Sequence, residues 1–216
     1  MKLTSNQPLD RIFEALFQPY SERVPDVKRI TNAMVKRGMV SNQSDIINDH
    51  VAFRTLGVPH LGIQSFEKIF LHHGYEKKDH YFFEGKRLDA YWYSPPEPHY
   101  PRAFISELRV EDLSSKTQSI IHQYISHIDN DPVDHIDLDD PVQVGDFFHK
   151  PLWDLVSYTD YSSLLDESEV GLRRLFWPGK EYRGISCGKS VQYLLYTRRE
   201  ALFATESSYL FLPPEK

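Results

Sequence analysis

The sequence predicts an α+β fold, a strand-helix-strand-strand-strand half-barrel with additional helices packed outside it. Three observations carry that reading. Residues 48–57, Asn48-Asp49-His50-Val51-Ala52-Phe53-Arg54-Thr55-Leu56-Gly57, have the composition and length of a strand ended by glycine. Gly57 and Pro59 break that strand, and Ile63, Phe66, Ile69 and Phe70 then recur at three-and-four spacing with Gly74 behind them, the pattern of an amphipathic helix with a glycine stop. Three strand-like runs follow at residues 75–83, 87–93 and 102–110, parted by Gly85 and by the Pro95-Pro96-Glu97-Pro98 cluster.

The flanking elements are helical. Leu9, Ile12, Phe13, Leu16 and Phe17 form one apolar stripe, punctuated by Pro19 and Pro25. Residues 27–39 supply a second helix with Ile30, Met34 and Val35 inward and Gly38 near its end. A third helix is expected between Leu113 and Ile128, and a further helical segment starts around Pro151-Leu152-Trp153. Near the end, residues 190–196 and 202–212 are apolar and aromatic enough for strands. No repeat, low-complexity tract or linker divides the chain, so a single domain over 1–216 is expected: helices in 1–47, the barrel half in 48–112, helices in 113–169 and a tail in 170–216.

Function classes are narrowed by charge and cysteine usage. A net charge of -6 argues against general nucleic-acid binding. The lone Cys187 rules out an internal disulfide or a thiolate zinc cluster, and no apolar run approaches bilayer length. A soluble protein of a reducing compartment, cytoplasmic by default, is the expectation. Gly188-Lys189-Ser190 lacks the glycine five residues earlier that a phosphate-binding loop requires, because Arg183 stands there. The acidic run 129–140 lacks the glycine and glutamate of a calcium loop and reads as a charged connector. Ser106 has no nucleophile-elbow glycines around it.

The chemistry-bearing residues lie on the first strand. Side chains at i, i+2 and i+4 share a face, so His50, Ala52 and Arg54 point one way and Val51, Phe53 and Thr55 the other. That face joins an imidazole suited to a metal with a guanidinium suited to a carboxylate. Glu107, on the fourth strand, is expected to look into the same concave side, as a metal ligand or as a carboxylate supporting Arg54 or Arg109. His72 and His73 end the proposed helix, where a positive ring suits the helix dipole. His122 and His127, five apart, do not stack on one helical face.

Residues 48–57, Tyr81-Phe82-Phe83 with Lys86-Arg87-Leu88-Asp89-Ala90, Pro101-Arg102-Ala103-Phe104-Ile105-Ser106-Glu107-Leu108, and the closing Tyr161-Ser162-Ser163-Leu164-Leu165-Asp166-Glu167-Ser168-Glu169 resemble the DUF1338 family, over about residues 9–169. Its characterised members are 2-oxoadipate dioxygenase/decarboxylases, iron(II) enzymes with a barrel similar to the vicinal-oxygen-chelate fold. The resemblance implies His50 as a metal ligand, Arg54 as the anchor for a carboxylate of a 2-oxo acid, Fe(II) as cofactor, and dioxygen as co-substrate in an oxidative decarboxylation to a 2-hydroxy diacid. It also implies a second histidine and a carboxylate from a later barrel half, yet no histidine follows His149. Residues 170–216 depart from the family, either as unrelated sequence after a truncation or frame shift, or as a divergent end around a rebuilt site. The alternatives that stay open are a non-catalytic member lacking a complete metal site and a metal-dependent lyase or isomerase on a similar barrel. A missing half would leave apolar surface that favours a homo-oligomer.

Overall fold

The computed structural model describes residues 7–150, 152–167, 190–196 and 201–202. Its helices are α1 (Pro8–Arg23), α2 (Pro25–Lys36), α3 (Ile63–His72), α4 (Ser115–Ile125), α5 (Pro141–His149) and α6 (Tyr158–Glu167). Its strands are β1 (Ile47–Gly57), β2 (Glu76–Phe83), β3 (Leu88–Ser94), β4 (Arg102–Arg109), β5 (Ser190–Tyr196) and β6 (Ala201–Leu202). The order β1-α3-β2-β3-β4 is the expected strand-helix-strand-strand-strand unit. One mixed sheet results, ordered β2-β3-β4-β1-β5-β6, in which β1 and β4 run parallel and the other neighbours antiparallel.

Alternation along β1 sorts the molecule into two sides. Val51, Phe53 and Thr55 are buried, and Phe53 meets Phe66, Phe70 and Phe148 with ring centroids 5.2, 5.4 and 5.2 Å away. Ala103 and Ile105 of β4 and Tyr93 of β3 complete this layer, which α1, α3 and α5 cover. Burying a phenylalanine in such a layer stabilises the fold by roughly 1.5–3 kcal/mol relative to leaving it exposed. On the other face, Leu56, Leu88 and Leu108 at the far end of the sheet join a second core with Leu113, Ile121, Trp153 and Leu164 from the α4 and α6 region. Glu167 of α6 ties that end together: its carboxylate accepts from Arg87 Nη1 (2.8 Å), Ser114 N (3.0 Å) and Thr117 Oγ1 (3.2 Å).

Two helices depart from the sequence expectation, each for a physical reason. α1 runs through Pro19, where a break was expected. Proline has no N–H to donate to the carbonyl four residues back, here Ala15, and that carbonyl instead accepts from His149 Nε2 at 3.1 Å. The approach of α5 that allows this needs Gly145, since a Cβ there would sit 3.0 Å from Ala15 Cβ. α5 falls in the helical part expected over 113–169, although no separate helix was expected directly after the acidic connector. Its start is written in Asp140, whose carboxylate accepts from Val142 N at 2.8 Å, and in Pro141 in the first turn. The segment around Trp153 is not helical; the helix begins later, at Tyr158. The expected strand at 190–196 is β5, paired antiparallel to β1, whereas most of the second proposed tail strand, 203–212, lies outside the described residues.

Candidate functional site: a cleft on the open face of the sheet

His50 lies at the start of β1, on the face opposite the aromatic layer. A β-bulge interrupts the pairing of β1 with β5 between Asn48 and His50. Bulges re-aim side chains, and this one lets the consecutive residues Asp49 and His50 line one cleft where strict alternation would separate them. The cleft is open, about 360 Å³ in volume, and also lined by Asp79, Tyr81, Trp92, Arg102 and Phe104.

Its polar groups are organised around Asp49. The carboxylate accepts from His50 Nδ1 at 3.0 Å through one oxygen and from Arg102 through the other. Burial raises the carboxyl, but hydrogen bonds from His50 and Arg102 and the Arg102 charge outweigh it, and the group sits below its ordinary range. Asp49 is therefore an acceptor only, so His50 must carry its proton on Nδ1, leaving Nε2 as the lone-pair nitrogen of the neutral ring. A carboxylate on the far nitrogen is the arrangement that orients metal-ligating histidines and raises their basicity. Across the cleft, Trp92 Nε1 donates to Asp79 at 3.0 Å, and the Tyr81 and Phe104 rings lie 6.0 Å apart as an aromatic wall.

Arg54 sits on the same face as His50, half-buried, between Ser106 of β4 and Ser190 of β5 in register. Four residues along a strand separate the two by about 13 Å. Arg54 is not among the cleft-lining residues; Arg102 is the guanidinium that is.

Glu107 is not brought together with His50. Parallel pairing sets His50 opposite Arg102, Arg54 opposite Ser106 and Thr55 opposite Glu107, so Glu107 shares the buried face of Thr55 and Ile105. There its carboxylate accepts the Ile63 N–H at 2.7 Å and caps the start of α3, the role a side chain at position 62 cannot fill because the residue is glycine. Gly62 is required there twice over: its φ is +86°, and a Cβ would come within 2.4 Å of Glu107 Oε2. Burial pushes the Glu107 carboxyl up, and the Ile63 hydrogen bond only partly offsets that. The concave-side residue of that stretch is its neighbour Ser106, whose Oγ donates to the Phe53 carbonyl at 3.1 Å.

An iron(II) centre of the expected kind needs two imidazoles and a carboxylate. Among the described residues the cleft holds one imidazole, and the Asp49 carboxylate beside it is committed to Nδ1 and Arg102. The described residues do not complete such a centre. Sequence reasoning missed Asp49, Asp79, Trp92 and Arg102. The one signal for Asp49 was adjacency to His50, which normal alternation turns into an argument for the opposite face.

No helix among the described residues is long and apolar enough to cross a membrane. The glyoxalase-superfamily protein of Ralstonia eutropha JMP134 has a similar fold, with a TM-score of 0.61 at 18% identity over 80% of this chain and 61% of its own. The hydroxyglutarate synthase of Oryza sativa, solved in complex with 2-oxoadipate, is similar over 74% of this chain and 52% of its own, with a TM-score of 0.62 and 30% identity. The chloroplastic 2-oxoadipate dioxygenase/decarboxylase of Arabidopsis thaliana is 41% identical over 87 residues, 35% of this chain and 24% of the relative. The chain thus matches about a quarter of that curated relative's length and about half of the rice structure's. The profile of the 2-oxoadipate dioxygenase/decarboxylase family, HGLS, matches residues 12–171, most of the chain, and with the strand-helix-strand-strand-strand sheet this makes the protein a member of that family.

Proposed function

We propose that the chain carries the His50 side of a 2-oxo acid site, and that its reaction is the oxidative decarboxylation of a 2-oxo diacid such as 2-oxoadipate to a 2-hydroxy diacid one carbon shorter. One dioxygen is consumed and the lost carbon leaves as carbon dioxide; 2-oxoadipate would give 2-hydroxyglutarate. The observation that supports the reading is the Asp49–His50 pair in the lining of an open, aromatic-walled cleft, with Nδ1 engaged by Asp49 so that Nε2 is the nitrogen left to take a ligand. In this reading Arg54 anchors a substrate carboxylate, its fork matching two oxygens at any ordinary pH. Arg102 holds Asp49 in its charged form. Iron(II) is proposed through His50, the one imidazole among the described residues that line the cleft.

A second reading, a non-catalytic member that binds a small acid, is favoured by the absence of a second histidine from the described cleft. Anaerobic calorimetry with 2-oxoadipate, with and without iron(II), followed by oxygen uptake and product analysis, separates the two. Iron-dependent oxygen uptake with equimolar 2-hydroxyglutarate, abolished in His50→Ala and lowered about 10–100-fold in iron affinity by Asp49→Asn, supports the enzyme. Binding without turnover, lost in Arg54→Ala, supports the acid-binding member. Neither binding nor turnover sinks both.

A further inference from the structure

We propose that His72, His73 and Asp139 form a binding site for a borderline divalent cation of the zinc class, on the helix-covered side of the sheet and separate from the cleft. The helix dipole accounts for one positive ring at the end of α3. It does not account for two adjacent imidazoles meeting a carboxylate brought in from 66 residues further along the chain.

The three side chains come from two fixed pieces of backbone. His72 is the last residue of α3 and His73 its C-cap. Asp139 directly precedes Asp140, the N-cap of α5, and its own N–H donates to Asp137 Oδ1 at 3.0 Å, which holds the turn. His72 Nε2 stands 3.1 Å from Asp139 Oδ1, and the two rings are nearly perpendicular with centroids 4.9 Å apart. His73 Nε2 donates to the Leu138 carbonyl at 2.8 Å, so its lone pair is on Nδ1. This is the backbone-carbonyl support that fixes the tautomer of ligating histidines. One ligand atom from each residue lies within 4.8 Å of the other two, the one such group of histidine and acidic side chains among the described residues.

A tetrahedral zinc ion with bonds of about 2.0–2.1 Å sets its ligand atoms about 3.3 Å apart, and the ligand atoms here, within 4.8 Å of one another, would draw together around the ion. Two imidazoles with one carboxylate suit zinc, and the nitrogen donors disfavour calcium and magnesium. Three protein ligands leave a fourth position for water. The cation would fasten the acidic connector to the end of α3.

The test titrates the purified full chain with zinc(II) by calorimetry and with cobalt(II) by visible absorption, beside Asp139→Asn, His73→Ala and His50→Ala, with circular dichroism confirming that each variant is folded. Expected are a zinc site of one ion per chain that persists in His50→Ala, a tetrahedral cobalt spectrum there, and affinity at that site weakened at least about tenfold in Asp139→Asn and in His73→Ala. Asp139 is exposed, so its conservative substitution keeps the test open should His73→Ala fail to fold. The proposal is overturned by an absence of saturable binding, by zinc held equally well in Asp139→Asn, or by zinc lost only in His50→Ala.

Discussion

The two faces of the sheet use the same strands for opposite purposes. On one, Val51, Phe53, Ala103, Ile105 and Tyr93 are sealed beneath α1, α3 and α5. On the other, His50, Arg102, Trp92 and Phe104 line an open cleft, and only the far end, from Leu56 and Leu108 onward, closes under α4 and α6. Period-two alternation makes this division possible within single strands, and it makes register the quantity that matters. A one-residue slip of β4 against β1 would place Glu107 in the cleft and Arg102 in the aromatic layer.

Three measurements break or sharpen that division. Phe53→Ala, which empties the centre of the sealed face, is expected to cost about 3–5 kcal/mol in urea unfolding, while ligand affinity in the cleft of the folded fraction stays within about twofold. Glu107→Ala should cost about 1 kcal/mol through the lost cap on α3 and leave binding in the cleft unchanged. Loss of metal or 2-oxo acid affinity in that variant would return Glu107 to the site and undo the two-face assignment.

The third measurement concerns the closed end of the open face. Hydrogen bonds from Ser114 and the Arg87 guanidinium outweigh burial and hold Glu167 at about 2, down from 4.5. The folded state therefore binds this proton less readily than the unfolded chain. The stability it contributes is full above about 4.5 and is lost as pH falls toward 2. Glu167→Gln should flatten that part of the stability-pH curve; an unchanged slope would mean that Glu167 does not hold α4 and α6 to the sheet.

Much of this architecture is legible in the residues. Gly57, Pro59, Gly74, Gly85 and the proline cluster at 95–98 mark nearly every boundary of the β1-α3-β2-β3-β4 unit, because turns need those residues for backbone reasons. The face of Glu107 was not legible. β4 alternates two sets, Phe104 and Leu108 against Ala103 and Ile105, and both are apolar, so only pairing with β1 decides which set is inward. The Asp49–His50 pair was hidden for a related reason, since a bulge against β5 breaks the alternation used to read β1. The continuation of α1 through Pro19 depends on His149, a partner 134 residues away from Ala15 in sequence that no local pattern announces.

The parallel pairing of β1 with β4 also orders events in time. β1 leaves the ribosome first, yet its partner on that side is the last strand of the unit, and the ion pair between Asp49 and Arg102 joins residues 53 positions apart. Such non-local pairing must bear its loop-closure entropy before any contact repays it. A nascent chain halted before Arg102 would hold α3 and the hairpin-forming segments but no organised cleft, so His50 gains its oriented ring only when the sheet closes. The ion pair between Asp49 and Arg102 is thereby a report that β1 and β4 have both been made and paired.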